Sequence, residues 1–389
     1  MDFTFTEEQQ AAVEAAKAVF SGVAPDAVPS PALSRGAVAE EFDRPLWAKL
    51  AESDLLSLVI DPQHGGAGLD PIALCLVLRE AAKVLARVPL LESSAVAMTL
   101  QRYGDAELAR DLLPAAGRGE LVFTVGANGR TGHDPAELAV TARQESADSG
   151  RSGGSDRSGD WVLDGVQTGV PWAQNADRIA VPAHTGEGHA VLALVPRTHT
   201  GITLAEQIST SGERFAEVHL DSVHIEARAV ITAEGAWAWL RDLLTTGTCA
   251  LALGLGERVL AMTSQYTGKR EQFGFPVATF QAVAVQAADR YIDLRAMEAT
   301  LWQAAWRIST GAGGALPVTG DVAVAKIWAA DGVRRVVQTA QHLHGGFGAD
   351  TDYPLHRYHA WAKQLELSLG PAAAHEETLG DLLAAHPLG

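Results

Sequence analysis

Cysteine is nearly missing from this chain, with two in 389 residues. Cys75 and Cys249 both sit in apolar helix-like stretches, Ala-Leu-Cys-Leu-Val and Gly-Thr-Cys-Ala-Leu. They read as inert core residues, and a reducing cytosol fits them. Positive charge is also scarce: 30 Lys and Arg face 47 Asp and Glu, a net charge of −17. That deficit argues against nucleic acid or an anionic membrane surface as a partner, and an anionic substrate would need a local basic pocket. No uncharged apolar run reaches the length of a membrane span, because Cys249 to Gly256 stops at Glu257-Arg258. The opening Met1-Asp2-Phe3 has neither a basic region nor an apolar signal core, so a cytoplasmic location is expected. No Gly-x-Gly-x-x-Gly follows a predicted strand. Gly254-Leu255-Gly256 lies in a helical pattern and reads as close helix packing.

What is present falls into three blocks. Residues 1–118 carry helical periodicity, starting with Thr6 and Gln9 at capping-box spacing. A turn, Asp61-Pro62 through Gly65-Gly66, interrupts it. From 119 to 229 the period changes to alternation. Short strands are expected near 121–125, 138–142, 161–166, 178–182, 191–195, 202–204 and 215–225, with Asp164-Gly165 as a hairpin turn, in a small β sandwich or barrel. Within that block the Ser-, Gly- and Asp-rich segment 147–160 reads as a flexible hairpin tip. Residues 230–389 are helical again. Helix–sheet–helix order in unequal blocks is unlike a doubly wound nucleotide-binding fold.

Two motifs carry chemistry. The first is Arg270-Glu271-Gln272-Phe273-Gly274-Phe275-Pro276 with Phe280-Gln281. The second is His342-Leu343-His344-Gly345-Gly346-Phe347-Gly348, followed by Tyr353-Pro354. A guanidinium fork suits a diphosphate, and paired glycines let backbone approach a ligand closely. The histidines 342, 344, 356 and 359 lack a carboxylate or cysteine at ligand spacing, so no metal is expected. Together the motifs resemble R-x-Q-F-G-x-P…F-Q and Q-x-x-G-G of the acyl-CoA dehydrogenases, and the likeness runs nearly end to end.

That resemblance implies a mainly α fold with a central β domain: an N-terminal helical domain, a middle β domain and a C-terminal four-helix bundle. It also implies FAD shared across a subunit interface. One subunit holds the flavin ring and the acyl-CoA, and its neighbour supplies pyrophosphate and adenosine contacts. Carried over residue by residue, the donated side would comprise Arg270, Gln272, Phe273, Gln281, His342, Gly345 and Gly346. His342 stands where the family has Gln, with Gln341 beside it.

The flavin-ring side departs from the pattern. Only Thr124 survives of one motif; Gly169 replaces the stacking Trp and Pro171 the hydrogen-bonding Thr, with Trp172 three residues late and on another strand face. Both family locations for the catalytic base are leucine, Leu369 and Leu244. Glu366, one turn before Leu369, is the alternative base.

The expectation is a half-site subunit, without a catalytic residue of its own, of an α2β2 acyl-CoA dehydrogenase resembling actinobacterial enzymes of steroid-derived thioesters. A homologous subunit carrying the Glu, an acyl-CoA substrate and electron-transferring flavoprotein are the expected partners. A homo-oligomeric FAD enzyme with a relocated base such as Glu366, or a flavin-free scaffold or ligand-binding protein, are the alternatives.

Overall fold

The computed structural model describes residues 4–25, 35–39, 41–131, 137–145 and 159–387. The opening Met1-Asp2-Phe3 and nearly all of the expected tip at 147–160 lie outside the described residues.

The N-terminal helices are α1 (Glu7–Phe20), α2 (Arg44–Glu52), α3 (Pro71–Lys83), α4 (Leu90–Tyr103) and α5 (Ala106–Gly117). Thr6 starts α1 with the expected reciprocal cap: its Oγ1 accepts from Gln9 N at 3.2 Å, and Gln9 Oε1 accepts from Thr6 N at 3.0 Å. Gln9 then donates to Asp70 at 3.0 Å, and Asp70 in turn caps α3 through Ala73 N. One side-chain chain thus orders two helix starts.

The strands are β1 (Phe123–Val125), β2 (Val140–Gln144), β3 (Trp161–Pro171), β4 (Arg178–Thr185), β5 (Ala190–Pro196), β6 (Ile202–Ile208), β7 (Arg214–Ile225) and β8 (Val230–Ile231). The expected sandwich or barrel takes the form of one mixed sheet ordered β6-β7-β3-β2-β4-β5-β8. β1 pairs in parallel with the start of β4 and β2 with its end. Asp164-Gly165 is not a hairpin turn. β3 runs straight through it, with a register shift against β7 and Gly165 at φ +148°. A side chain there would strike the carbonyl oxygen of Ala139, so the glycine permits a bulge.

The chain ends in α6 (Ala236–Lys269), a short hairpin β9 (Glu271–Gln272) and β10 (Phe275–Pro276), then α7 (Gln281–Thr310), α8 (Val318–His344), α9 (Leu355–Leu367) and α10 (Ala372–Ala385). α6 is the hub and packs on α3, α4, α7, α8 and α9. It has an 18-residue window apolar enough to cross a membrane, more than the sequence reading allowed, but 78% of that window is buried within the protein. Gly254 serves close packing as expected, since a methyl group there would collide with the Arg79 carbonyl of α3. Glu257, which interrupts the apolar run, pairs with Arg79, and Arg79 also reaches Glu298 of α7 at 3.2 Å. The charge is therefore compensated between three helices.

Candidate functional site: a cleft and a distant arm

A cleft of about 120 Å³ lies where α3, α4, the sheet, α6 and α9 converge. Leu244 on α6 and Leu369 just beyond α9 both line it. The two positions at which the resemblance implies a base therefore meet at one cavity, although they are far apart in sequence. Leu369 is buried and has φ +59°, followed by Gly370 at φ +98°. α9 ends at Leu367, Ser368 leaves the helix at ψ 131°, and the left-handed pair then follows with Leu369 turned inward.

A buried lysine and a half-buried histidine hold that turn. Lys326 Nζ donates to the carbonyls of Leu365 at 2.8 Å and Glu366 at 3.1 Å, and His375 Nε2 donates to Leu369 O at 2.8 Å. Burial lowers Lys326 to about 8, and burial lowers His375 to about 4 against the opposing pull of its carbonyl. Lys326→Met leaves both helix-end carbonyls without their donor. It is expected to cost about 2 kcal/mol of stability, measured by urea unfolding; an unchanged midpoint would reject the capping role.

Glu366 does not face this cleft. It lines a separate concavity with Arg334, Gln338 and Gln341, and pairs with Lys363 at 3.1 Å and Arg334 at 3.8 Å. The helical-face argument fails because α9 ends at Leu367. Beyond it, the left-handed turn swings Leu369 away from the i+3 position.

The sheet side of the cleft is closed upon itself. Thr124 Oγ1 donates to Pro171 O at 2.5 Å, so its hydroxyl is engaged. Gly169, at φ +60°, donates to Gln207 at 2.8 Å, and its carbonyl accepts from Asn128 at 3.1 Å. Trp172 follows the end of β3 and does reach the cleft. Its φ of +56° takes it out of strand alternation, so the strand-face expectation does not apply. Its ring meets Phe42 edge-on at 6.4 Å.

The structure adds a residue that the motifs did not mark. Glu92, in the first turn of α4, is the single ionisable side chain among the described residues lining the cleft. Its carboxyl is pushed up to about 7, chiefly by burial, against hydrogen bonds from its own backbone N–H and the Trp172 side chain. The side chain retains partial exposure, yet that exposed surface belongs to a cavity walled by apolar groups, which solvates an anion poorly. The available signal was one carboxylate in the apolar run Pro89-Leu90-Leu91-Glu92-Ser93-Ser94-Ala95.

The other motif residues gather far from this cleft. Arg270 caps α6, about 39 Å beyond Leu244 at ~1.5 Å per residue. Phe273 and Gly274, at φ +55° and +83°, form the turn between β9 and β10. Phe273 is 90% exposed, and Arg270, Gln272 and Gln281 are exposed beside it. Tyr266 stacks on His344 at 4.4 Å and on Phe347 at 5.3 Å, joining the arm to the turn after α8. Gly345 and Gly346 there have open space around them. Gln341 donates to Gly345 O at 3.1 Å and so serves the turn, while His342 is exposed. His344 is buried between Ala340 O and the Tyr353 hydroxyl. Among the described residues, no group of three or more His, Cys, Asp or Glu has a metal-holding arrangement.

This architecture is that of an acyl-CoA dehydrogenase, and family models agree: residues 6–120 match the acyl-CoA dehydrogenase N-terminal domain and residues 245–383 the C-terminal domain. The chain belongs to the acyl-CoA dehydrogenase family. It is 35% identical over its full length to acyl-CoA dehydrogenase FadE27 of Mycobacterium tuberculosis, covering all of that protein. A crystal structure of the ChsE4-ChsE5 complex from Mycobacterium tuberculosis superposes with a TM-score of 0.86 at 34% identity, covering 100% of both chains. A variant of the Tcur3481-Tcur3483 steroid ACAD gives 0.85 at 35% identity, covering 97% of this chain and 98% of that one.

Proposed function

We propose that this chain is the half-site subunit of a heteromeric FAD-dependent acyl-CoA dehydrogenase. The observation that carries this reading is that Leu244 and Leu369 stand together at the cleft where a base is required, while the Arg270 arm lies roughly 39 Å away along one rigid helix. An arm so placed cannot serve its own cleft, whereas its exposed residues suit a ligand held by a neighbouring subunit.

The residues fit FAD on one side only. Arg270 offers a guanidinium fork for the pyrophosphate, Gln272 and Gln281 lie next to it, and Gly345-Gly346 offers approachable backbone beside His342. Phe273 supplies an exposed aromatic face for the partner or the adenosine. The cleft fits poorly. Its 120 Å³ is below the ~300–1,000 Å³ of ordinary cofactor sites. Thr124 and Gly169 are already engaged, and the two base positions are Leu244 and Leu369. With Glu366 turned to another face, the homo-oligomeric reading loses the relocated base named for it.

In the assembled enzyme, bound FAD supplies acceptance of the substrate β-hydrogen as hydride. This chain's residues hold and orient the cofactor, while the α-proton is taken by a glutamate of the homologous partner. The similarity to the chains in the ChsE4-ChsE5 and steroid ACAD structures supports a paired assembly and a steroid-derived thioester substrate. Electron-transferring flavoprotein is the proposed reoxidant, and the cytoplasm the proposed location.

Co-expression tests this directly. The chain purified alone is expected to carry little flavin. With a homologous, Glu-bearing subunit, about one FAD per heterodimer is expected, because binding and assembly are linked. Stoichiometric flavin on the lone chain would overturn the proposal.

A further inference from the structure

The cleft has lost features needed for flavin, yet it is neither filled nor uniformly apolar. Its walls include Leu244, Leu251 and Leu369; Asn128, Thr248, Gln364 and Ser368 also line it, and Glu92 beside Trp172 is its one ionisable group among the described residues. No Lys or Arg is among the described residues lining it, so an anionic ligand would have nothing to neutralise it and Glu92 to repel it. The volume is close to the ~150 Å³ of an apolar cavity that holds one benzene-sized molecule.

We propose that this cleft is a binding site for a small neutral alicyclic or aromatic ketone, held by a hydrogen bond from the Glu92 carboxyl. The apolar walls would enclose the ring, and Glu92 would fix its oxygen. A carboxyl kept neutral by an apolar site is a strong donor to a carbonyl oxygen. Trp172 complements it: its side chain lines the same cleft beside Glu92, and the indole opposes the effect of burial on that carboxyl. The left-handed backbone at Trp172 is what brings the indole to that point, and strain of this kind persists where surrounding structure holds it. The site is distinct from the Arg270 arm and does not depend on the half-site reading; flavin content tests that reading and ketone binding tests this one.

The experiment uses the full chain at pH 6, with cyclohexanone as probe and toluene and cyclohexanecarboxylate as controls, followed by ligand-observed NMR. Cyclohexanone is expected to bind wild type at least about tenfold more tightly than Glu92→Leu, a loss matching one hydrogen bond to a buried polar group. Toluene should bind Glu92→Leu as well as or better than wild type, and cyclohexanecarboxylate should bind neither. Leu251→Trp, which fills the cleft, should abolish cyclohexanone binding. Equal ketone affinity in Glu92→Leu, binding of the carboxylate, or ketone binding that survives Leu251→Trp would overturn the proposal. A further readout needs no variant: cyclohexanone should shift the Trp172 indole N–H resonance of wild type, and an unmoved resonance at saturation would equally overturn it.

Discussion

Arg270→Ala in the assembled heteromer is expected to lower FAD retention by about 10- to 100-fold, with the assembly itself intact. The range corresponds to loss of a charge-assisted contact worth ~1.5–3 kcal/mol. Arg270 is exposed at the end of α6, where its carbonyl accepts from Val277 N at 2.7 Å and fixes the base of the arm. Because that backbone contact does not involve the guanidinium, the variant should keep the hairpin. Arg270→Lys keeps the charge and loses the planar fork, so an intermediate retention is expected. Flavin absorbance after gel filtration of the heteromer reads the effect. Unchanged retention in Arg270→Ala would reject the pyrophosphate role. Since Leu244 lies about 39 Å away on the same helix at ~1.5 Å per residue, the variant should leave ketone binding in the cleft unaffected.

Glu92→Gln is expected to make the chain more stable than wild type at pH 8, by about 2–3 kcal/mol. The sign follows from linkage. Glu92 has a carboxyl raised from 4.5 to about 7 in the folded protein, mainly by burial. The folded state therefore binds its proton more tightly than the unfolded state. The stability this contributes is fully present below 4.5, falls as pH rises through 7, and stays lost above it. A shift of that size corresponds to about 3 kcal/mol at ~1.4 kcal/mol per unit, reduced somewhat because the carboxyl opens to a cavity. Glutamine keeps an acceptor for the backbone N–H and for Trp172 but never ionises. The difference between the two unfolding curves should thus vanish near pH 4.5 and grow to its plateau by about pH 8. Parallel curves across that range would show that Glu92 titrates like an exposed carboxylate. Such a result would also remove the donor on which the ketone site depends.

Much of this molecule was legible in one dimension. Capping at Thr6, turn residues at Gly65-Gly66 and the change from helical to alternating period are local properties, set by backbone and side-chain chemistry within a few residues. The family motifs, contiguous blocks of seven residues, were equally readable, as were the leucines at both base positions. Asp164-Gly165 was misread because a hairpin turn and a bulge use the same residues. Only the pairing of β3 with β7 distinguishes them. Glu366 was misplaced because helical spacing holds only inside a helix, and α9 stops two residues before Leu369. That Glu92 joins Leu244, Leu369 and Trp172 at one cavity could not be read, since chain separation carries no distance and no motif marks it. The leucines at 244 and 369 were written in the sequence by itself. That they face one small cleft holding a protonatable carboxyl, far from the arm that suits a neighbour's cofactor, was decided by tertiary packing, because burial and long-range proximity exist only once the helices and the sheet have closed on one another.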